Sequence, residues 1–250
     1  MSTLEFDVDI SNPGQFYACL GLLSVSDSLA PGVTGWFDKR RFLISSQGIS
    51  PNELVNAILG MDIIPLFDIK QALGPLIFRT GYPFLVNWWC EWKGGQWEKT
   101  ALKLWAGQQT SYSIPSKLLQ AAASIRVQVE RNPHRLLSST NLVTGRYGVN
   151  PSASWTALDV GYSPNEHGGD AATCPYTEIL AAIGLQIAAP LSDGKSQKVY
   201  YTWTEPLPSL LAACAARGVQ RGWRQGDKVT FEIISRGSYR FFSRGRATTS

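Results

Sequence analysis

Hydrophobic and polar positions alternate over residues 4–10 and then change to a helical spacing. The alternation of apolar with mostly acidic residues predicts a half-buried strand. From Pro13 onward the apolar positions recur every three or four residues, which predicts a helix that begins at this proline. Asn12 is a suitable N-cap, and the fixed φ of proline suits the first helical position.

The turn between this strand and this helix is a candidate binding site. Free backbone N–H groups in the first helical turn could meet a phosphate, and the amides of Asn12 and Gln15 could read a base edge. Gly14 would let a nucleic-acid backbone approach closely. The alternative is that the same residues only cap a core helix.

The later periodicities predict an α+β protein of two packed lobes, each an antiparallel sheet with helices. We place the N-terminal lobe at residues 1–150 and the C-terminal lobe at residues 151–250. A long region rich in Gly, Pro, Ser and Asn covers residues 150–169. The patterns predict strands at 42–44, 76–78, 84–89 and 198–204, helices at 51–59, 115–124, 177–188 and 207–216, and a hairpin of 228–234 with 239–243.

Two similar helices suggest that the lobes are related. Ala-Cys-Leu-Gly-Leu at 18–22 is matched by Ala-Ala-Ile-Gly-Leu at 181–185. Each run follows a proline-containing turn, with Gln15 or Glu178 three positions before the alanine. An internal duplication would explain the match, and chance similarity between two helices rich in small residues is the alternative.

Composition limits the class of protein. The 250 residues are 44% hydrophobic, enough for a large core, and no apolar run reaches the roughly 18 residues of a membrane span. The N-terminus lacks the basic and apolar regions of a signal peptide, so we expect a cytoplasmic protein that does not contact membranes. The four cysteines lie far apart, with neither metal-site nor disulfide spacing.

Positive charge is concentrated near the C-terminus. Residues 217–250 carry eight basic and two acidic side chains, a local charge of +6 that leaves −2 on the rest of a chain whose net charge is +4. Arginine suits bidentate phosphate contact, so a nucleic-acid surface is one interpretation and a solvated charged face is the other. The arginines taken as candidate nucleic-acid contacts are Arg221, Arg224, Arg236, Arg240 and Arg244.

Signatures of catalysis are sparse, and we expect a protein without enzyme activity, metal or cofactor. The chain has no nucleophile-elbow, phosphate-loop or zinc-protease motif, and its two histidines, His134 and His167, are far apart. Asp7 and Asp9 share one face of the first strand, where a solvated edge explains them better than a metal site. Asp159 belongs to no convincing acid–base group.

Aromatic residues and amides form two further motifs. The run Asn-Trp-Trp at 87–89 is followed by Lys-Leu-Trp-Ala-Gly-Gln-Gln at 103–109. Gln108 and Gln109 could read bases or close a loop, and nearby cations could position phosphates. We expect the tryptophans to be core and interface anchors rather than base-stacking platforms. The candidate phosphate contacts in this part of the chain are Lys99, Lys103 and Arg146.

Five motifs, in order, carry a family resemblance over almost the whole chain. They are NPGQFYACLGLL, NWW, KLWAGQQ, SWTALDVGYSPN and EILAAIGLQ. Together they resemble the short large-subunit-like proteins encoded with type I-U (now I-G) CRISPR–Cas systems. The Asn-Pro-Gly-Gln turn and the Gln-Gln pair match best, whereas Asn87-Trp88-Trp89 stands where an acidic residue would be usual.

The resemblance implies a non-catalytic subunit of a crRNA-guided Cascade. Such a subunit would bind crRNA, target double-stranded DNA and other Cascade subunits, sense the protospacer-adjacent motif (PAM) and help recruit a separate helicase–nuclease. The alternative is a structural backbone or capping subunit that binds crRNA and neighbouring proteins without reading DNA. A more distant alternative is a metal-dependent nuclease that uses Asp7, Asp9 or Asp159.

Overall fold

The computed structural model describes residues 2–46, 48–106, 109–151, 171–194, 196–219, 222–236 and 238–248. These residues form helices and small antiparallel sheets, which confirms the predicted α+β class. The helices are α1 (Pro13–Leu29), α2 (Pro51–Leu59), α3 (Ser113–Ser124), α4 (Arg126–Arg131), α5 (Pro175–Ile187) and α6 (Ser209–Ala216), with a 3-10 helix at Pro133–Arg135. The strands are β1 (Ser2–Asp7), β2 (Thr34–Asp38), β3 (Arg41–Ser46), β4 (Asp62–Pro65), β5 (Leu76–Arg79), β6 (Pro83–Val86), β7 (Cys90–Lys93), β8 (Gln96–Lys99), β9 (Asn141–Val143), β10 (Ala171–Thr173), β11 (Leu191–Asp193), β12 (Gln197–Trp203), β13 (Gln225–Arg236), β14 (Tyr239–Phe242) and β15 (Arg246–Thr248).

Helix α1 begins where its sequence signals predicted. Asn12 is the N-cap, with extended backbone and a side chain that accepts a hydrogen bond from the backbone N–H of Gln15. Residues 13–26 are all buried, so α1 is a central helix rather than a surface helix with one apolar face. The buried hydroxyls of Ser24 and Ser26 donate to carbonyl oxygens one turn earlier, which satisfies them inside the core.

The two helices that share a sequence pattern pack against each other. Gly21 on α1 and Gly184 on α5 lie at the crossing, where each faces the backbone of the other helix. Small residues at both positions let the two helix backbones approach closely. The second helix is observed one or two residues earlier than its predicted bounds of 177–188.

Three of the described sheets have three or more strands. The order is β1-β3-β2 in the first sheet and β4-β5-β6 in the second. In the third sheet β11, β12 and β13 are neighbours, and both β14 and β15 pair with the other edge of β13. The predicted C-terminal hairpin is confirmed, with Arg236 opposite Tyr239.

The segment after residue 86 differs from its prediction. The predicted strand at 84–89 ends at Val86, because residues 87–89 turn and bury Trp88 and Trp89. A separate hairpin of β7 and β8 follows, with Trp92 opposite Trp97. The turn glycines Gly94 and Gly95 both adopt positive φ, which glycine accommodates without strain.

The hydrophobic core runs across the proposed lobe boundary at residue 150. A single cluster of buried side chains includes members of both sequence halves, such as Phe16 and Tyr200, whose rings stack with centroids 4.0 Å apart. The indole of Trp203 donates to the carbonyl of Gly35, and Gly35 also exchanges backbone hydrogen bonds with Leu207. The two halves therefore share one core.

Candidate nucleic-acid interface

The amides at the first turn are engaged inside the protein. Asn12 is fully buried, and its Nδ2 donates to Oδ1 of Asn150 at 2.9 Å while its Oδ1 accepts from the backbone N–H of Gln15. Gln15 is 7% exposed and its Oε1 accepts from the backbone N–H of Asp9 at 2.7 Å. In this arrangement both amides hold the turn together, the role that the capping alternative describes.

Gly14 has a packing role at the same turn. A Cβ there would come 2.6 Å from the carbonyl oxygen of Val149 and 2.8 Å from the Cα of Asn150. The close approach predicted for nucleic acid is thus made by the backbone of residues 149–150. Only glycine leaves room for it.

A buried carboxylate organises the loop that contains Val149 and Asn150. Glu178, in the first turn of α5, accepts backbone N–H groups of Tyr147, Gly148 and Asn150 at 2.8, 3.1 and 3.2 Å. Burial raises the pKa of Glu178, while the charge of Arg146 and these three hydrogen bonds oppose the rise. Arg146 is therefore the electrostatic partner of a buried acid as well as a candidate phosphate contact.

Strand β14 joins this loop to the Lys-Leu-Trp motif. The N–H of Arg240 donates to the carbonyl of Leu104 at 2.9 Å, and the N–H of Phe242 donates to the carbonyl of Gly148 at 3.1 Å. A little further along, the N–H of Gly245 donates to the carbonyl of Ser11 at 2.7 Å. We call the region where residues 9–15, 103–106, 146–150 and 240–245 meet the motif junction.

Several predicted cations lie at or beside the motif junction. Lys103 is half-buried; its ammonium donates to the carbonyl of Trp105 and lies 5.0 Å from the centre of that indole. Burial lowers the pKa of Lys103, and the positive charge of nearby Lys99 lowers it further. Lys99 is exposed at the end of β8, and Arg240 is half-buried on β14. These residues bring charge from distant parts of the sequence together.

Arg244 and Gln109 are each bonded within the chain. Arg244 is 57% exposed at its side chain and pairs with Asp9, Nη1 to Oδ2, at 2.5 Å. Burial acts to raise the pKa of Asp9, but hydrogen bonds from Ser11 and Arg244 outweigh it and hold that pKa below its ordinary value. The amide nitrogen of Gln109 donates to the carbonyl of Thr144 at 2.9 Å. This contact closes a loop, which is the role that the sequence offered as the alternative to reading a base.

The remaining predicted residues lie elsewhere. Arg224 is exposed just before β13, where its carbonyl accepts from the N–H of Thr204. Arg236 ends β13. Gln108 and Arg221 fall outside the described residues, as do Asp159, His167 and the whole SWTALDVGYSPN motif.

The tryptophans next to the motif junction form a core, as predicted. Trp88, Trp89 and Trp105 are buried, and Trp89 stacks on Tyr147 with ring centroids 5.4 Å apart and planes 13° apart. The indoles of Trp88 and Trp89 donate to the carbonyls of Ala182 and Gly74. Trp92 differs from them, because it is 59% exposed on the β7–β8 hairpin.

Sequence reasoning missed two features of this region. It noted Glu178 only as a member of a repeat, although a glutamate in an otherwise apolar helix is itself a signal for a buried acceptor. It also missed the hairpin of β7 and β8, which the Gly94-Gly95 pair between two short polar–aromatic runs could have indicated.

The described residues hold neither a metal centre nor a membrane span. Among them, no three His, Cys, Asp or Glu side chains come close enough to share a metal ion. The helices described are also too short or too polar to cross a bilayer. Comparison of the chain with protein-family models, with curated proteins and with solved structures finds no match.

Proposed function

We propose that this chain is a non-catalytic subunit of a type I CRISPR surveillance complex, and that it contacts nucleic acid at the motif junction. The observation that carries the proposal is the convergence itself. Segments singled out for their motifs, far apart in sequence, meet along β14 through the contacts of Arg240, Phe242 and Gly245. They meet beside cations from the middle of the chain and from its C-terminal region.

Affinity in this proposal comes from phosphate contacts. Lys99 and Arg244 are exposed, and Lys103 and Arg240 are half-buried at the same region. Lysine and arginine side chains position a duplex through its phosphates and give binding that weakens with salt. Arg244 would exchange part of its ion pair with Asp9 for a phosphate, a small loss because exposed ion pairs contribute at most about 1 kcal/mol.

Fewer residues are candidates for reading the DNA sequence than the amino-acid sequence suggested. The buried amides of Asn12 and Gln15 support the fold of the turn, so PAM reading in this proposal belongs to Gln109 and to residues near it in sequence. The chain would act within a cytoplasmic complex together with crRNA, target double-stranded DNA, other Cascade subunits and a separate helicase–nuclease.

One observation favours the alternative of a structural or capping subunit. Helix α6 presents Leu210 and Leu211 at 76% and 40% exposure, and Val219 just after it is 41% exposed. Leu211 and Val219 also line a groove of about 700 Å³ together with Cys214 and Trp223. Apolar surface of this kind is typical of contacts between proteins. It is compatible with nucleic-acid binding elsewhere on the chain.

The test compares charge removal inside and outside the motif junction. In the assembled complex, Lys103→Ala and Arg240→Ala together should weaken binding to PAM-containing and PAM-free duplexes alike. They should also reduce the slope of log K against log salt by about 0.9 for each phosphate that is no longer neutralised. Arg131→Ala and Arg224→Ala together remove two exposed arginines outside the junction and are the matched control. Equal salt slopes for both variants would contradict the proposed interface and favour the structural subunit.

A further inference from the structure

An exposed pair of tryptophans lies near the motif junction and has no part in the function proposed so far. Trp92 and Trp97 face each other across the β7–β8 hairpin, with ring centroids 5.0 Å apart and planes at 68°. Trp97 is half-buried, whereas Trp92 is 59% exposed. Exposing a large indole to water is unfavourable, so an exposed Trp held by a second ring is a candidate contact for a ligand.

The two rings border an open groove. Its volume is about 770 Å³, and its other side is formed by residues 66–68 and 71–73. Phe67 and Leu73 supply apolar surface, while Asp68, Gln71 and Gln96 supply polar atoms. A nucleobase requires this mixture, because its faces stack on aromatic rings and its edges carry hydrogen-bond donors and acceptors.

Charge on the hairpin is distributed unequally between its two faces. Side chains alternate along a strand, so Lys99 lies on the same face as Trp97 and Trp92, whereas Glu91 and Glu98 lie opposite each other on the other face. Lys99 ends β8 two residues after Trp97, and the N–H of Lys103 donates to the carbonyl of Thr100 at 3.3 Å. Lys99 therefore lies along the chain between the tryptophan pair and the motif junction. A single strand of nucleic acid whose phosphates contact Lys103 and Lys99 would bring its next base towards Trp92.

We propose that the groove beside Trp92 and Trp97 binds an unpaired nucleobase of a single strand by stacking. The inference rests on the proposed function, because it extends the phosphate-binding surface of the motif junction over Lys99. It adds a ligand class that phosphate contacts alone do not select, namely single-stranded nucleic acid with its bases accessible.

The test measures binding of the 250-residue chain to two single strands of equal length, an oligothymidylate and an abasic strand. Both carry the same phosphates, and only the first has bases. The chain should prefer the oligothymidylate by about 5- to 100-fold, the affinity gained by stacking one base on an aromatic ring. Trp92→Leu keeps an apolar side chain without a π-face and should abolish the preference, whereas Trp92→Phe should retain most of it. Leu142→Ala, at a residue 61% exposed on β9, is the control for loss of exposed apolar surface.

A second pair of variants separates stacking from phosphate binding. Lys99→Ala should weaken binding of both strands equally and reduce the salt slope by about 0.7. Lys93→Ala removes the same charge from the opposite face of the same hairpin and should change neither. Circular dichroism and the unfolding midpoint of each variant would confirm that the hairpin is intact.

The outcomes distinguish this inference from the function on which it rests. Salt-dependent binding of both strands with equal affinity, or a preference that survives in Trp92→Leu, would overturn the stacking groove and leave the phosphate surface in place. Failure to bind either strand would overturn the stacking groove, whereas the salt slopes of duplex binding by the assembled complex decide the phosphate surface separately. Loss of complex assembly in Trp92→Leu with an unchanged strand preference would assign the groove to a protein neighbour instead.

Discussion

Gly21 of α1 and Gly184 of α5 occupy equivalent places in one helix crossing. A Cβ on Gly21 would overlap the carbonyl oxygen of Leu180, and a Cβ on Gly184 would overlap the carbonyl oxygen of Tyr17. Both the two glycines and the two residues they face are separated by 163 positions, the offset of the repeated sequence. The two helices therefore meet as a pseudo-symmetric pair, which supports the internal duplication that the sequence suggested.

Alanine at either glycine should destabilise the whole protein. The added methyl group would strike backbone atoms, which cannot move aside by changing rotamer, so we expect Gly21→Ala and Gly184→Ala each to lower the free energy of unfolding by about 3 kcal/mol. Urea unfolding monitored by tryptophan fluorescence measures this. The control is Gly60→Ala at the end of α2, where φ is −85° and the nearest atom to an added Cβ is 3.1 Å away. A decrease in the free energy of unfolding as small as that of the control would mean that the two helices can move apart without destabilising the protein.

Removing the Glu178 carboxylate should be one of the most damaging single changes in the chain. Glu178→Ala leaves three backbone N–H groups, two of them buried, without their acceptor. It also removes the counter-charge of Arg146, so we expect the free energy of unfolding to fall by about 3 to 5 kcal/mol. Glu130→Ala is the control, since its ion pair with Arg126 lies on the surface and contributes at most about 1 kcal/mol. Hydrogen exchange of the amides of Tyr147, Gly148 and Asn150 should accelerate specifically in the first variant. Unchanged protection there would show that the loop does not depend on the carboxylate.

The ion pair of Asp9 and Arg244 should make stability depend on pH in the acid range. Because the pKa of Asp9 in the folded protein lies below its ordinary value of 3.8, the ionised form stabilises the fold. This contribution is fully present above pH 3.8 and is lost as pH falls through the lower, folded-state pKa. Arg244→Ala should raise the pKa of Asp9, measurable by NMR titration.

The same variant should cost at most about 1 kcal/mol of stability, because the pair is largely exposed. The difference in the free energy of unfolding between Arg244→Ala and the unmodified chain should decrease towards zero at the acid end of the titration. Arg244→Lys keeps the positive charge and should retain most of the stabilisation by the ion pair with Asp9. A difference that stays constant through the titration of Asp9 would exclude this ion pair as its cause.

Asn12 distinguishes a structural turn from a base-reading turn. Because its side chain caps α1 and binds Asn150 in the core, Asn12→Ala should lower the free energy of unfolding by about 2 kcal/mol and impair complex assembly. Asn12→Ser keeps a neutral capping oxygen and loses only the contact with Asn150, so the decrease in the free energy of unfolding should be smaller. Variants that assemble normally but no longer distinguish a correct PAM would instead support direct reading of DNA.

Local signals in the sequence were sufficient to predict the elements that depend on local physics. The Asn12–Pro13 start of α1, the C-terminal hairpin and the burial of Trp88 and Trp89 follow from capping, turn chemistry and apolar content, which act over a few residues. The repeated Ala-x-x-Gly pattern identified two similar helices, whereas their packing against each other is seen only in the structure. The strand predicted at 84–89 was too long, because burial of two adjacent indoles at a turn overrides alternation.

The roles of the polar residues were decided only by tertiary structure. A sequence shows that Asn12, Gln15 and Glu178 can accept hydrogen bonds, but it does not show which donors will surround them. The donors to Glu178 are backbone N–H groups of residues 147–150, and the side chain of Asn12 donates to Asn150. These contacts join parts of the chain that are far apart in sequence, so they form only when the chain packs. Long-range packing also sets β14 beside the Lys-Leu-Trp motif. Composition determined that this chain carries positive charge and amides, whereas long-range packing determined which amides are buried and where the charges meet.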